Sequence, residues 1–261
     1  MPGADGDDVR ANESVANPAE PDTHTSGHLL DGRVRYAQPR QGFRSGIEPV
    51  LLAASVPAKS GEHVLEGGSG AGAALLCLAA RVPGLQGVGI EQDATLVTLA
   101  TRNATANDWS GLRFVAADMA SPPDLGVFDH ACANPPYHMA QGTPSPDVSR
   151  RAAKRASADL LAVWAATLAR HLRPRGTLTF ILPAALLPAG TEAFAGAGCR
   201  PTAMLPLWPR AERAAKLLLL RGVKGTRAPF RVLPGLVLHT ADGGFTPEAD
   251  AILRLGQSLE F

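Results

Sequence analysis

The chain has 261 residues, 45% of them hydrophobic, with 25 basic against 24 acidic residues and a net charge of +1. That content can bury the core of one large domain and excludes a strongly polyanionic or polycationic character. Three cysteines, Cys77, Cys132 and Cys199, are odd in number, widely spaced and set in apolar stretches. They exclude a disulfide framework or cysteine-based zinc site and read as buried thiols in a reducing compartment. There is no signal-peptide pattern, and Pro, Gly or charge interrupts every apolar run before membrane-spanning length. The expectation is a cytoplasmic protein with neither membrane nor metal.

Residues 1–27 hold six acids (Asp5, Asp7, Asp8, Glu13, Glu20, Asp22) and one base, Arg10, a local balance of −5 that leaves +6 on the remainder. This stretch is polar, lacks periodicity and reads as a disordered acidic tail ahead of one folded domain over 28–261. From residue 45 short apolar runs alternate with helical segments, the pattern of a doubly wound parallel sheet. Strands are predicted at 63–65, 85–90, 112–116, 128–133 and 177–182. Helices are predicted at 73–81, at 93–107 with Asp93 as N-cap, at 148–172 and at 190–197. Two further strands, 202–207 and 215–221, close the sheet edge. A C-terminal extension adds a strand over 231–239, a turn at Asp242-Gly243-Gly244 and a last helix. There is no internal repeat.

The chemistry-bearing residues fall at successive strand ends. Glu66-Gly67-Gly68-Ser69-Gly70-Ala71-Gly72 opens a helix after the first of these strands. Its glycines Gly68, Gly70 and Gly72 let backbone turn sharply and approach a ligand where a Cβ would collide. Glu91 ends the second strand, where a carboxylate can take ribose hydroxyls; a nicotinamide-binding turn is the competing reading. Asp118 follows the third strand, as a turn residue or as an acceptor for the exocyclic amine of adenine. Asn134-Pro135-Pro136-Tyr137 follows the fourth. Two prolines remove backbone donors there, leaving the Asn134 side-chain carbonyl and the Pro135 main-chain carbonyl to accept from a planar amino group, with Tyr137 as a stacking face.

In this order the motifs resemble Rossmann-like class I S-adenosylmethionine methyltransferases that act on exocyclic or amide nitrogen. The resemblance implies an α/β fold, a seven-stranded, mostly parallel sheet with helices on both faces. It implies S-adenosyl-L-methionine as cofactor, with Glu66 and Gly68, Gly70 and Gly72 near its methionine portion, Glu91 at the ribose and Asp118 at the adenine edge. Asn134, Pro135 and Tyr137 are the implied catalytic residues.

Asn-Pro-Pro-Tyr enzymes methylate several kinds of amino group, so other segments select among them. Gln38-Pro39-Arg40-Gln41-Gly42-Phe43-Arg44 and Glu48-Pro49-Val50-Leu51-Leu52-Ala53 resemble the start of the tRNA adenine-N6 methyltransferases that modify adenosine 37 of a valine tRNA. That family usually has Tyr at the place of Phe43 and Asp at the place of Glu48. Segments 205–210, 215–220 and 237–248 are similar to its closing strands and terminal turn, so the likeness covers roughly residues 30–255. It implies methylation of adenine N6 in tRNA. The alternatives are a release-factor glutamine N5-methyltransferase, whose N-terminal helical domain residues 1–27 cannot build, and a noncatalytic RNA- or adenosine-ligand-binding module. Phe43, the row Arg150, Arg151, Lys154 and Arg155, and the cluster around Arg210 and Lys216 that also takes in Arg213, Arg221 and Lys224, are candidate contacts to tRNA or another structured RNA; a solvated face is the plainer account of such runs. His130 and His138 flank the motif and read as strand and loop residues outside the site.

Overall fold

The computed structural model describes residues 24–40, 46–136 and 147–261, with side chains from residue 155 onward in the last stretch. The first element is a hairpin of β1 (His24–Leu29) and β2 (Val34–Pro39). Strand β1 begins four residues inside the span expected to be tail, and its HTSGHL sequence has no apolar alternation. Its order comes from pairing with β2 and from contacts of β2 to distant side chains, neither visible locally.

Helix α1 (Glu48–Ser55) leads to β3 (His63–Gly67), α2 (Ala73–Arg81), β4 (Gln86–Glu91), α3 (Ala94–Ala106), β5 (Leu112–Ala116) and β6 (Phe128–Ala133). Then come α4 (Asp147–Arg170), β7 (Leu172–Pro183), α5 (Leu187–Gly196), β8 (Cys199–Arg210) and β9 (Leu217–Lys224). The chain closes with β10 (Arg231–Val232), β11 (Leu236–His239) and α6 (Pro247–Leu255). Across the main sheet the order is β10-β8-β9-β7-β6-β3-β4-β5, with β11 also paired to β8. Strands β3 to β7 are parallel to one another, and β9 alone runs antiparallel, between β7 and β8.

The sheet thus has nine strands rather than seven. The seven expected ones run from β5 to β8, and the extension supplies the other two. The strand expected over 231–239 is broken where Pro234 removes a backbone donor and Gly235 turns with φ 90°.

Because β-strand side chains alternate, one face buries Leu65, Ala131, Leu178 and Phe180 under α4 and α5, and the other buries Val64, Cys132, Ile181 and Leu219 under α1, α2 and α6. Phe180 and Phe194 meet edge to face at 4.9 Å. Burying Leu168 or Phe194 to this degree stabilises by roughly 2 to 3 kcal/mol each. The strands that lead into the predicted cofactor and catalytic residues, β3 to β6, run parallel and so end at the same sheet edge.

Basic side chains hold the far ends of these helices. Arg81 donates to the carbonyls of Ala53 (3.0 Å) and Val56 (2.6 Å), Arg221 to Ser55, and the Leu259 N–H to Ala54 (2.9 Å). Four carbonyls at and just past the end of α1 are thereby satisfied, three of them by the two cations Arg81 and Arg221, placed where the helix dipole is negative. Arg33 bridges the ends of α2 and α6 through the carbonyls of Ala80 and Leu255, and Lys224 caps α4 through Ala169 (2.7 Å) and Leu172 (2.6 Å). The expected basic cluster accordingly divides. Arg221 and Lys224 point inward as helix caps, while Arg210, Arg213 and Lys216 are exposed around the β8–β9 connection, at the edge where β6 ends.

Candidate active site

Strand β3 delivers Glu66 and the glycine turn to the centre of the sheet edge, between β4 and β6. Gly68, Gly70 and Gly72 all have positive φ (66°, 55° and 89°), a backbone other residues adopt at a cost of roughly 1 to 2 kcal/mol. Gly68 also admits a close approach: a Cβ there would lie 2.5 Å from Cη2 of Trp164 on α4. At Gly70 the corresponding direction is open, with nothing within 4 Å. Gly72 caps α2 in the left-handed conformation and donates its N–H to the Ser69 carbonyl at 2.8 Å.

Two carboxylates brace this turn. Glu66 is 4% exposed and its carboxyl meets the Leu75 N–H at 3.3 Å, beneath the first turn of α2. Burial pushes its pKa from 4.5 up to about 8, against a smaller opposing pull from the Leu75 N–H. Glu91, on the adjacent strand, accepts from the Gly70 N–H at 2.9 Å and from the Asp93 N–H at 3.0 Å. A carboxylate has about four acceptor positions, so two remain for ligand hydroxyls. Asp118 is exposed one strand further on and closes a turn onto the Ala120 N–H at 2.8 Å. That is the turn role weighed for it, and it leaves acceptor capacity for an amine.

Strand β6 pairs with β3 through Ala133 and Gly67, so the next residue, Asn134, leaves the sheet beside the glycine turn. Asn134 is half-buried, Pro135 buried and Pro136 exposed. Tyr137 and Phe43 lie outside the described residues, as do the side chains of Arg150, Arg151 and Lys154. Arg155 is exposed on α4. The structure therefore gathers Glu66, the glycines, Glu91, Asp118, Asn134 and Pro135 along one edge. Arg210 and Lys216 lie further along it, with the Lys216 carbonyl accepting from Ala184 just past the end of β7 at 2.9 Å.

Two residues that the sequence did not single out line the turn. Trp164 covers Gly68, and Met119 covers Gly67, where a Cβ would lie 2.9 Å from the Met119 Cε. Thr167 fixes Met119 by donating to its carbonyl at 2.8 Å. A tryptophan on the helix after Asn-Pro-Pro-Tyr was the available signal, masked by its resemblance to ordinary core packing.

His130 is buried four residues before Asn134, roughly 13 Å along the strand. Its Nε2 pairs with Glu62 at 3.0 Å and its Nδ1 with Thr177 at 2.8 Å. Asp129 beside it accepts from Arg173 at 2.5 Å and from the His63 N–H at 2.8 Å. This network braces the opposite sheet edge. Among the described residues no group of three or more His, Cys, Asp or Glu side chains could hold a metal ion, and no helix is long and apolar enough to cross a membrane.

The chain is similar to several known proteins. A tRNA1(Val) (adenine(37)-N6)-methyltransferase of Aeromonas hydrophila is 27% identical over 211 residues, 79% of this chain and 87% of that one. Another so named, from Actinobacillus succinogenes, is 31% identical over 150 residues, 56% of this chain and 63% of the relative. In three dimensions the chain superposes on a predicted O-methyltransferase of Agrobacterium tumefaciens with a TM-score of 0.66 and 23% identity, over 82% of this chain and 98% of that one, which establishes the shared fold. The family description of the methyltransferase small domain matches residues 48–182, more than half of the chain and the whole span from α1 through the glycine turn and Asn134 to β7; this chain belongs to that family.

Proposed function

We propose that this methyltransferase takes S-adenosylmethionine as methyl donor and methylates N6 of an adenine in tRNA, with residues 28–261 as the catalytic domain. The observation that carries the reading is the emergence of Asn134-Pro135 from β6 directly beside the glycine turn. A donor bound on that turn and an amino group held by Asn134 would be neighbours. The turn fits an adenosine ligand on its own terms: three left-handed glycines, open space over Gly70, and the Glu91 carboxylate one strand away. Glu91 would take the ribose hydroxyls, Asp118 the adenine amine, and Glu66 the neighbourhood of the cationic methionine portion.

S-adenosylmethionine supplies an activated methyl group on a sulfonium, so the protein needs no covalent nucleophile. Its contribution is to place the acceptor. The Asn134 side-chain carbonyl and the Pro135 carbonyl accept the two N–H bonds of the adenine amine and direct its lone pair at the methyl carbon. A donor bound on the glycine turn would supply the methyl group, its S–C bond breaking with the electron pair kept by sulfur as the N–C bond forms. The surplus proton on nitrogen then leaves to water. Bringing the base out of its stack costs a few kcal/mol, and stacking against an aromatic such as Tyr137 returns roughly 1 to 3. Arg155, Arg210 and Lys216, with Phe43, Arg150, Arg151 and Lys154, are the proposed RNA contacts.

Nucleoside mass spectrometry of bulk tRNA from cells with and without this protein tests the substrate. Loss of N6-methyladenosine from tRNA is expected in its absence. Unchanged tRNA together with loss of a methylated glutamine in a release factor would replace this reading.

A further inference from the structure

Two asparagines four residues apart, Asn103 on α3 and Asn107 at its C-cap, grip β2 by its backbone. Asn107 accepts from the Arg35 N–H and donates to the Arg35 carbonyl, both at 2.8 Å. Asn103 does the same to Ala37, with both bonds at 2.9 Å. The fit is geometric: four residues of helix advance about 6 Å and two residues of strand about 6.6 Å, so the amides meet alternate peptides. These side chains act on β2 as a neighbouring strand would, and β1 pairs its other edge.

Asn103 makes one bond more. It is 3% exposed, and its Nδ2 also donates to the carbonyl of Ala71 at 3.0 Å, inside the glycine turn. Glu91 holds the turn at the adjacent residue through the Gly70 N–H. The turn is therefore clamped from two sides, by β4 through Glu91 and by the hairpin through Asn103. Since Arg35 faces Asn107 and Ala37 faces Asn103, β2 runs antiparallel to α3. It climbs toward the sheet edge where the turn lies and delivers residue 40 there.

We infer that Asn103 is a positioning residue that couples cofactor binding on the glycine turn to docking of the β1–β2 hairpin. A ligand that orders the turn fixes the Ala71 carbonyl, which fixes the Asn103 amide, which holds Ala37. By linkage a docked hairpin strengthens ligand binding by the same factor. The inference rests on the proposal that this turn binds an adenosine cofactor.

The test uses the full chain with S-adenosylhomocysteine as probe. Calorimetry is run on wild type, Asn103→Ala, Asn103→Asp and Asn107→Ala, and backbone hydrogen exchange across 34–39 is followed with and without the probe. Asn107→Ala should speed exchange in the hairpin and leave affinity within about twofold. Asn103→Ala should weaken affinity roughly tenfold, the equivalent of one buried hydrogen bond, and abolish the protection that the probe gives β2. Asn103→Asp keeps the acceptor for the Ala37 N–H but loses the donors to the Ala37 and Ala71 carbonyls, and should match Asn103→Ala. Equal weakening by Asn103→Ala and Asn107→Ala would overturn Asn103 as the residue that carries the coupling. Wild-type exchange at Ala37 that is indifferent to saturating probe would overturn it too, without any variant having to fold. A folded wild type that binds no probe would instead refute the cofactor reading, and the coupling with it.

Discussion

Replacing Glu66 by Gln isolates the cost of a carboxylate sealed beneath the glycine turn. The folded state holds this carboxyl at about 8 against 4.5 in a free chain, with burial as the leading cause. A raised folded value means that the folded protein binds the proton more tightly. The contribution to stability is full below pH 4.5 and drains away as pH rises to about 8. Within that window each pH unit removes about 1.4 kcal/mol, so raising pH from 5.5 to 7.5 should cost wild type about 3 kcal/mol through Glu66 alone. Glutamine has the shape of the neutral acid and no proton to lose. Urea unfolding of both proteins at the two pH values measures the difference, since every other titrating group is common to both. Wild type should lose about 3 kcal/mol more than Glu66→Gln over this interval. Parallel pH profiles would refute the reasoning. The same proton should appear in binding: the sulfonium cation over this site favours the ionised form, so affinity for S-adenosylmethionine should rise with pH toward 8 in wild type and stay flat in Glu66→Gln.

Three other perturbations have defined outcomes. Gly68→Ala forces a Cβ to within 2.5 Å of Trp164 in a left-handed backbone; it should destabilise by about 2 kcal/mol, and adding Trp164→Leu should restore the steric part. A Gly68→Ala protein that unfolds in urea at the wild-type midpoint would contradict the close packing. Arg221→Met strips the donors from the Ser55 and Phe261 carbonyls and should cost about 3 kcal/mol by urea unfolding; a change under about 0.5 would show that α1 does not depend on this cap. At the opposite edge, burial holds His130 below its usual value, which favours its neutral form and is lost as pH falls below 6.5. Burial pushes Glu62 and Asp129 up, but their hydrogen bonds, from His130 and the Lys59 N–H and from the His63 N–H and Arg173, outweigh it and hold both low, so their contribution also fades with acid. The melting temperature should therefore fall between pH 7 and 4 more steeply in wild type than in a His130→Gln, Glu62→Gln double variant; equal slopes would remove the network from the acid response.

Elements whose cause lies within a few residues were legible in the sequence. Helix α2 begins and ends where the apolar period and Gly72 put it, and Asp93 caps α3 by accepting from the Thr95 N–H at 2.7 Å. Strand β6 and the placement of Asn134 at its end follow from an apolar run closed by two prolines. What escaped the sequence is nonlocal. The β1–β2 hairpin owes its order to Asn103 and Asn107, some 70 residues away. The roles of Arg33, Arg81, Arg221 and Lys224 as helix caps depend on which carbonyls the fold brings to them; in sequence Arg221 and Lys224 look like part of a basic patch. Trp164 reads as one more apolar position of a long helix, and only tertiary packing sets it over Gly68.

The most direct test of the central claim is methyl transfer from labelled S-adenosylmethionine to unmodified tRNA by wild type and Asn134→Ala, with the labelled nucleoside identified by mass spectrometry. Wild type should place the label on adenine N6. Asn134→Ala should place none while binding S-adenosylhomocysteine within a fewfold of wild type. Full activity in Asn134→Ala, or tRNA left unlabelled by the wild type, would contradict the account.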